Sequence, residues 1–358
     1  MNSQSTHYFP SNMRNNFIDG DFFESLFDFN FNYFFRPDLF APLNQTQIAK
    51  RRCMTNQPTP TWDKWRGHPN WAMWKWPSME CKRTGKLGKY EDMFIQSEPS
   101  FLFASPLNLF TLIDFINRLN PSFSFTLVTH QADVTISKKG STILYNQDLQ
   151  PGVHPTRVVN LPPQINRWYA QNLNIKNDEF FVSLPIGVER KRWSDGYKHE
   201  VLNEMIQNKR NRREKKHLVY ANYSTKNNPS KRNINLKNID CFFRTKPKNW
   251  PAGGWGCPFP MYANDIIDSI YVLCPAGYGL DTHRAWESLY LGAYPIVENN
   301  YMNQAIFKDL PAILVDDLNK LTNKLLVSKI EEMKSKEKNT EKLTQEYYVE
   351  LIFGSKPK

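Results

Sequence analysis

YVLCPAGYGLDTHRAWESLYLGAYPIV, residues 271–297, reads as a strand, a glycine-bearing loop, a helix and a second strand. The apolar run 271–274 stops at Pro275, as a short strand buried on both faces does. Helical spacing covers residues 282–291, with Asp281 as the expected N-cap and Gly292 as the stop before a strand at 295–297. Strand, helix and strand in succession imply a right-handed crossover between parallel strands. Such a loop suits a diphosphate. Gly277 and Gly279 allow backbone conformations closed to other residues and close approach of a ligand, and the first-turn N–H groups of the helix point at whatever sits above.

Outward from this unit the alternation continues. Downstream and upstream apolar runs at 217–221, 239–243 and 313–315 read as strands of the same sheet, and the Lys- and Glu-rich tail from 317 reads as helix to near 351. Asp316 and Asp317 read as the start of that helix. Further upstream, Leu109, Leu112, Ile113, Phe115, Ile116 and Leu119 have helical spacing up to Pro121, and residues 123–128, 158–161 and 181–184 read as buried parallel strands. A polar, basic stretch at 189–216 separates the two alternations. Residues 1–60 form a biased extension whose phenylalanines, among them Phe22, Phe23 and Phe27, are expected to pack on the body. A tryptophan cluster follows at Trp62, Trp65, Trp71, Trp74 and Trp76, interleaved with Lys64, Arg66 and Lys75. The expected class is α/β: an extension at 1–60, α/β units at 61–210 and 211–330, and a helical tail at 331–358.

A formal net charge of +11 points to an anionic partner. The run Lys209, Arg210, Arg212, Arg213, Lys215 and Lys216 reads as a solvated linker rather than a binding site. The scattered cysteines Cys53, Cys81, Cys241, Cys257 and Cys274 have no C-x-x-C spacing, against both a disulfide framework and a zinc site, and fit a reducing compartment. No long apolar run or signal-peptide pattern stands out. The expectation is a protein that is cytoplasmic or peripheral to a membrane, with no transmembrane segment, and not secreted.

The chemistry concentrates at the start of the 282–291 helix. Arg284 offers a planar fork to phosphate oxygens, His283 beside it offers a further hydrogen bond, and Thr282 opens the helix. Glu287, one turn beyond His283, can accept two hydrogen bonds from a ribose diol. Fixed donors at this place would stabilise the charge that a nucleoside diphosphate gains on leaving.

The stretch 271–297 resembles the donor-domain motif of exostosin-like glycosyltransferases, in its Pro-x-Gly-x-Gly lead and its Glu-x-x-x-x-Gly-x-x-Pro-Ile-Val tail. Looser similarity extends through THQAD at 129–133, RWYAQN at 167–172, LPIGVE at 184–189 and YANYSTKNNPSKR at 220–232. The resemblance implies a GT-B-like fold, two Rossmann-like domains facing a cleft, with the acceptor on the first and the nucleotide sugar on the second. It implies inverting transfer of a sugar from a nucleotide-sugar donor, most simply a UDP-sugar, to a glycan or other hydroxyl acceptor. Under it, Glu287 holds the ribose, Arg284 the diphosphate, and Asn222, Thr225 and Arg232 line the pocket from the other side. Transfer needs a base for the acceptor hydroxyl. Asp133 is the first candidate and His130 the second. Ala276 stands before Gly277 where relatives often carry a basic residue.

Three other classes compete with this one. Asp19, Gly20 and Asp21 spell the Asp-x-Asp of a metal-dependent transferase, but in the biased extension, so no metal or other cofactor is expected. The basic charge alone would suit a nucleic-acid-binding protein, yet no reading motif accompanies it and no specific nucleic-acid partner is expected. A glycan-binding module that had lost transfer would carry the same binding residues.

Overall fold

Two parallel sheets carry the fold, and the strands of each bury side chains on both faces. The computed structural model describes residues 17–19, 22–23, 26, 94–96, 98–146, 156–189, 197–209, 214–243 and 258–354. The tryptophan cluster, most of residues 1–60, Arg210, Arg212, Arg213, Cys53, Cys81 and Cys257 lie outside the described residues.

In chain order, β1 (Phe101–Ala104) leads through α1 (Leu109–Leu119) to β2 (Phe125–Thr129). Then come β3 (Thr135–Lys139), β4 (Thr142–Asn146), β5 (Arg157–Val159), β6 (Ile165–Gln171), β7 (Leu173–Asn174) and β8 (Phe181–Leu184). Strands β1, β2, β6 and β8 pair in that order, all parallel. Beside them β5, β4, β3 and β7 form a smaller mixed sheet. Asn172, at φ 57°, is the corner at which the chain leaves β6 and enters β7. Asparagine tolerates that left-handed conformation better than most residues.

The second sheet is built from β9 (His217–Ala221), β10 (Cys241–Phe242), β11 (Ser269–Leu273), β12 (Tyr294–Glu298) and β13 (Ile313–Val315). Its spatial order is β10, β9, β11, β12, β13, all parallel. The order reverses between β9 and β11, so the loops leaving the carboxyl ends of those two strands border the crevice where open α/β sheets take ligands. Both sheets are thus the parallel, helix-flanked kind of a Rossmann-like α/β fold.

Alternation along the strands explains the burial. In β11, Tyr271 and Leu273 face one cluster with Val219, Ile296 and Leu326, while Val272 faces another. That other cluster runs on through Phe103, Val128, Tyr169 and Leu184 of the first sheet, so one apolar core joins the two sheets. The opposite face of the first sheet packs Leu102, Leu127 and Trp168 against α1. Each of these large side chains contributes on the order of 2 kcal/mol when buried. The last helix (Gln345–Phe353) returns to the first sheet: Tyr169 donates from its hydroxyl to the Leu351 carbonyl at 3.0 Å, and Phe353 meets Phe101 edge to face. The extension reaches the same core through Phe17, Ile18 and Phe23, as its aromatic composition suggested.

Several elements differ from the sequence reading. Residues 158–161 were expected in the parallel sheet; the strand there, β5, pairs antiparallel with β4 instead. The supposed linker at 189–216 holds α2 (Tyr197–Lys209), whose Leu202 is buried with Met205 and Ile206 packed nearby. A mostly polar helix with so narrow an apolar stripe gives little periodic signal. Two of the basic run's lysines are structural. Lys215 donates to the carbonyls of Ile267 and Gly292, which end two helices, and Lys216 pairs with Asp268. The tail is several short helices rather than one, because Thr322 and Thr344 cap new starts; Asp317 does begin the first of them. Cys241 and Cys274 are free thiols, and among the described residues no helix is long and apolar enough to cross a membrane.

Candidate functional site

The glycine loop leaves β11 at its carboxyl end and is pinned from three sides. Ala276 donates its amide to both oxygens of Glu298, at 3.2 and 3.0 Å, and Gly277 donates to the Gly279 carbonyl. Asn228 donates from its side chain to the Gly277 carbonyl at 2.7 Å. Neither Gly277 nor Gly279 adopts a positive φ, contrary to the expectation of a backbone closed to other residues. Their lack of a side chain serves close approach, but of protein groups. A Cβ on Gly277 would lie 2.8 Å from the Arg232 guanidinium. On Gly279 it would lie 2.6 Å from the Asn172 amide and 3.0 Å from the Asp133 carboxylate. Asp133 and Arg232 therefore approach the same loop at successive glycines.

The helix α5 (His283–Leu291) begins one residue later than expected. Thr282 is the N-cap residue and Asp281 is an anchor instead: one carboxylate oxygen accepts from the Thr282 amide, the other from Trp286 Nε1 and the Ile186 amide. Two amides just ahead of the helix are taken by a side chain of the first sheet. Those of Leu280 and Asp281 donate to Asn172 Oδ1 at 2.9 and 3.2 Å. His283 contacts the Gly187 carbonyl through Nδ1 at 2.8 Å. A carbonyl only accepts, so Nδ1 carries a proton.

Arg284, the next residue, differs from all of these. Its guanidinium makes no hydrogen bond or ion pair among the described residues, and its Nε is buried without a partner, as is the Thr282 hydroxyl oxygen. Orphaned buried polar atoms are rare in folded proteins and call for an explanation. Arg232, from α3 (Pro229–Arg232), lies near enough for the two charges to act on each other. Arg232 is 7 % exposed and donates to the carbonyls of Ala276 and Ser224. Burial first, and then the Arg284 charge, lower its pKa to about 10, while Glu298, Tyr223 and Asp133 pull the other way. Tyr223 lies within reach of both arginines, and burial pushes its phenol up to about 12, so it is a neutral donor at physiological pH. Two guanidiniums and a phenol thus border one place. Arg232 is also the basic group that reaches Ala276, where the exostosin-like pattern often has a charge in the chain itself.

Glu287 is buried and accepts from the Tyr262 hydroxyl at 2.7 Å. Asn222 donates to the Tyr220 hydroxyl, and Thr225 starts an exposed turn. His130 is 1 % exposed, contacts the Pro185 carbonyl at 2.8 Å and packs on Phe23. It is an internal brace under the loop, enclosed where a base would need access to an acceptor. Asp133 is partly exposed and lies beside Gly279.

Sequence reasoning missed Asn172, Tyr223 and Asp281 as site residues. Asn172 lay within a segment of the family resemblance, yet one asparagine after a strand looks like any turn residue. Asp19 is buried, accepts from the Phe22 amide and lies 3.3 Å from His199, while Asp21 lies outside the described residues. Among the described residues no group of three or more His, Cys, Asp or Glu side chains is placed to hold a metal. Compared with protein-family models and with curated proteins, the chain matches none.

Proposed function

We propose that the chain is an exostosin-like, inverting glycosyltransferase of GT-B organisation, taking a nucleotide sugar, most simply a UDP-sugar, at the β9–β11 crevice. The observation that carries this reading is Arg284: a half-buried guanidinium whose Nε has no partner among the described residues, close enough to Arg232 at the sheet's switch point to depress its pKa. Bringing two like charges together costs free energy unless an anion joins them, and a diphosphate is the anion such a crevice suits.

In this reading the diphosphate lies between Arg232 and Arg284, with the Thr282 and Tyr223 hydroxyls as further donors. Glu287 turns one oxygen to Tyr262 and keeps the other for a ribose hydroxyl. An acceptor hydroxyl, on a glycan or another molecule, attacks the anomeric carbon as the bond to the β-phosphate oxygen breaks. The nucleoside diphosphate leaves with that bond's electrons, and the hydroxyl proton passes to Asp133. Cationic donors stabilise the leaving diphosphate and lower the barrier.

The test is a thermal-shift titration with UDP and GDP, since a ligand bound only by the folded chain raises Tm by mass action. A rise with UDP, lost in Glu287→Ala, supports the reading. No response to either nucleotide would refute it.

A further inference from the structure

We infer that Asn172 is a positioning residue that holds the Asp133 turn against the glycine loop and so sets where the base stands relative to the donor. The inference rests on the transferase reading for the role of Asp133; the clamp itself does not depend on it.

One side chain joins the two loops. The Asn172 oxygen accepts the Leu280 and Asp281 amides, and its nitrogen donates to the Ala132 carbonyl at 3.2 Å. Its backbone carbonyl accepts from Ile136 just beyond the turn. The preceding residue acts on the same turn: Gln171 Oε1 accepts from the Gln131 amide at 2.8 Å. Both side chains are buried, at 1 % and 0 % exposure. Consecutive residues at the end of β6 therefore grip the turn 130–133 at Gln131 and Ala132, and the second also grips the glycine loop.

The backbone is strained at both ends of this grip. Gln131 has φ 79° and Asn172 has φ 57°, two non-glycine residues in the left-handed region linked through one turn. Such conformations persist where surrounding contacts impose them, and they cluster at functional sites. Gly279 completes the arrangement, since any Cβ there would meet both Asn172 and Asp133. Arg232 contacts the loop at Gly277 and Ala276 instead. Donor grip and base placement thus depend on different residues.

This separation makes the role testable. In Asn172→Ala, hydrogen exchange should quicken together in peptides covering 129–136 and 277–286; an unchanged rate in either overturns the clamp, and no nucleotide is needed. UDP affinity should stay within about threefold, because the arginines are intact, while sugar release from the UDP-sugar that the wild type turns over falls at least about tenfold. Affinity lost in step with rate would overturn the positioning role. Asn172→Asp keeps an acceptor for the two amides and serves if the alanine variant fails to fold. Its new carboxylate stands beside Asp133, so the Asp133 titration followed by NMR should move to higher pH. A titration that does not move would place the two side chains apart and sink the inference. A wild type that binds neither UDP nor GDP counts against the transferase reading instead, and the exchange and titration measurements still decide the clamp.

Discussion

The carboxylate of Asp281 accepts the backbone N–H of Ile186 at 2.8 Å, across 95 residues of sequence, and so ties the start of α5 to the loop that follows β8. Burial pushes this carboxyl from 3.8 up to about 7, against three hydrogen bonds that favour its charged form. An acid whose pKa is raised by folding keeps its proton in the folded chain where the unfolded chain has lost it. Its contribution is therefore fully present below about pH 4 and is lost as pH rises to about 7, by at most about 4 kcal/mol. Denaturant unfolding of wild type and Asp281→Asn between pH 4 and 8 checks this. The wild type should lose stability relative to the variant across that window, and parallel curves would contradict it.

Arg284 and Arg232 should separate binding from stability. The Arg284 guanidinium makes no hydrogen bond among the described residues, so Arg284→Ala should leave Tm unchanged or slightly raised while weakening UDP binding by roughly 10- to 100-fold, the loss of one charged hydrogen-bonding group. Arg232→Ala should lose both, because its guanidinium also holds the carbonyls of Ala276 and Ser224. Calorimetric titration with UDP beside thermal unfolding measures the difference.

The two loop glycines should respond unequally to alanine. A methyl on Gly277 meets only the far end of Arg232, which can shift; one on Gly279 meets Asn172 and Asp133, and Asn172 is held at both its amide atoms. Gly279→Ala is expected to cost about 1–3 kcal/mol, as overpacked sites do, and Gly277→Ala less. Urea unfolding of both variants gives the ranking, and a reversed order would contradict it.

Lys215 should matter more than a surface lysine does. Its ammonium donates to Ile267 and Gly292 carbonyls at 2.8 and 2.9 Å, at the C-terminal ends of two helices where positive charge is favoured. Lys215→Met keeps the apolar stem and should still cost about 1–3 kcal/mol, because two carbonyls lose their donor. The unfolding midpoint of Lys216→Met, which removes only an exposed ion pair, should move far less.

How much of this was legible varies with the range of the interaction. The strand at 181–184 and the strand–loop–helix–strand unit at 271–297 were readable because apolar spacing and Gly or Pro punctuation act within a few residues. The narrow stripe of α2 and the strands β1 and β6 carried no clear period, and went unread. The site divides in the same way. Arg284 and Glu287 could be singled out from their place on one helix, and so could the importance of the loop before it.

What the loop is important for belongs to the tertiary structure. Only there does Arg232 come to Gly277 and Asn172 to Gly279, so that the glycines make room for the chain's own side chains. Only there does Asn172 take the Leu280 and Asp281 amides. The amino-acid sequence alone determined the strand–loop–helix–strand unit at 271–297 and where the reactive side chains lie along it. The packing of two sheets, which joins residues 108 apart through one amide oxygen, decided which of those groups are engaged and which are left to bind. Local patterns record backbone preference and burial, whereas a single long-range hydrogen bond leaves no period in the chain to be read.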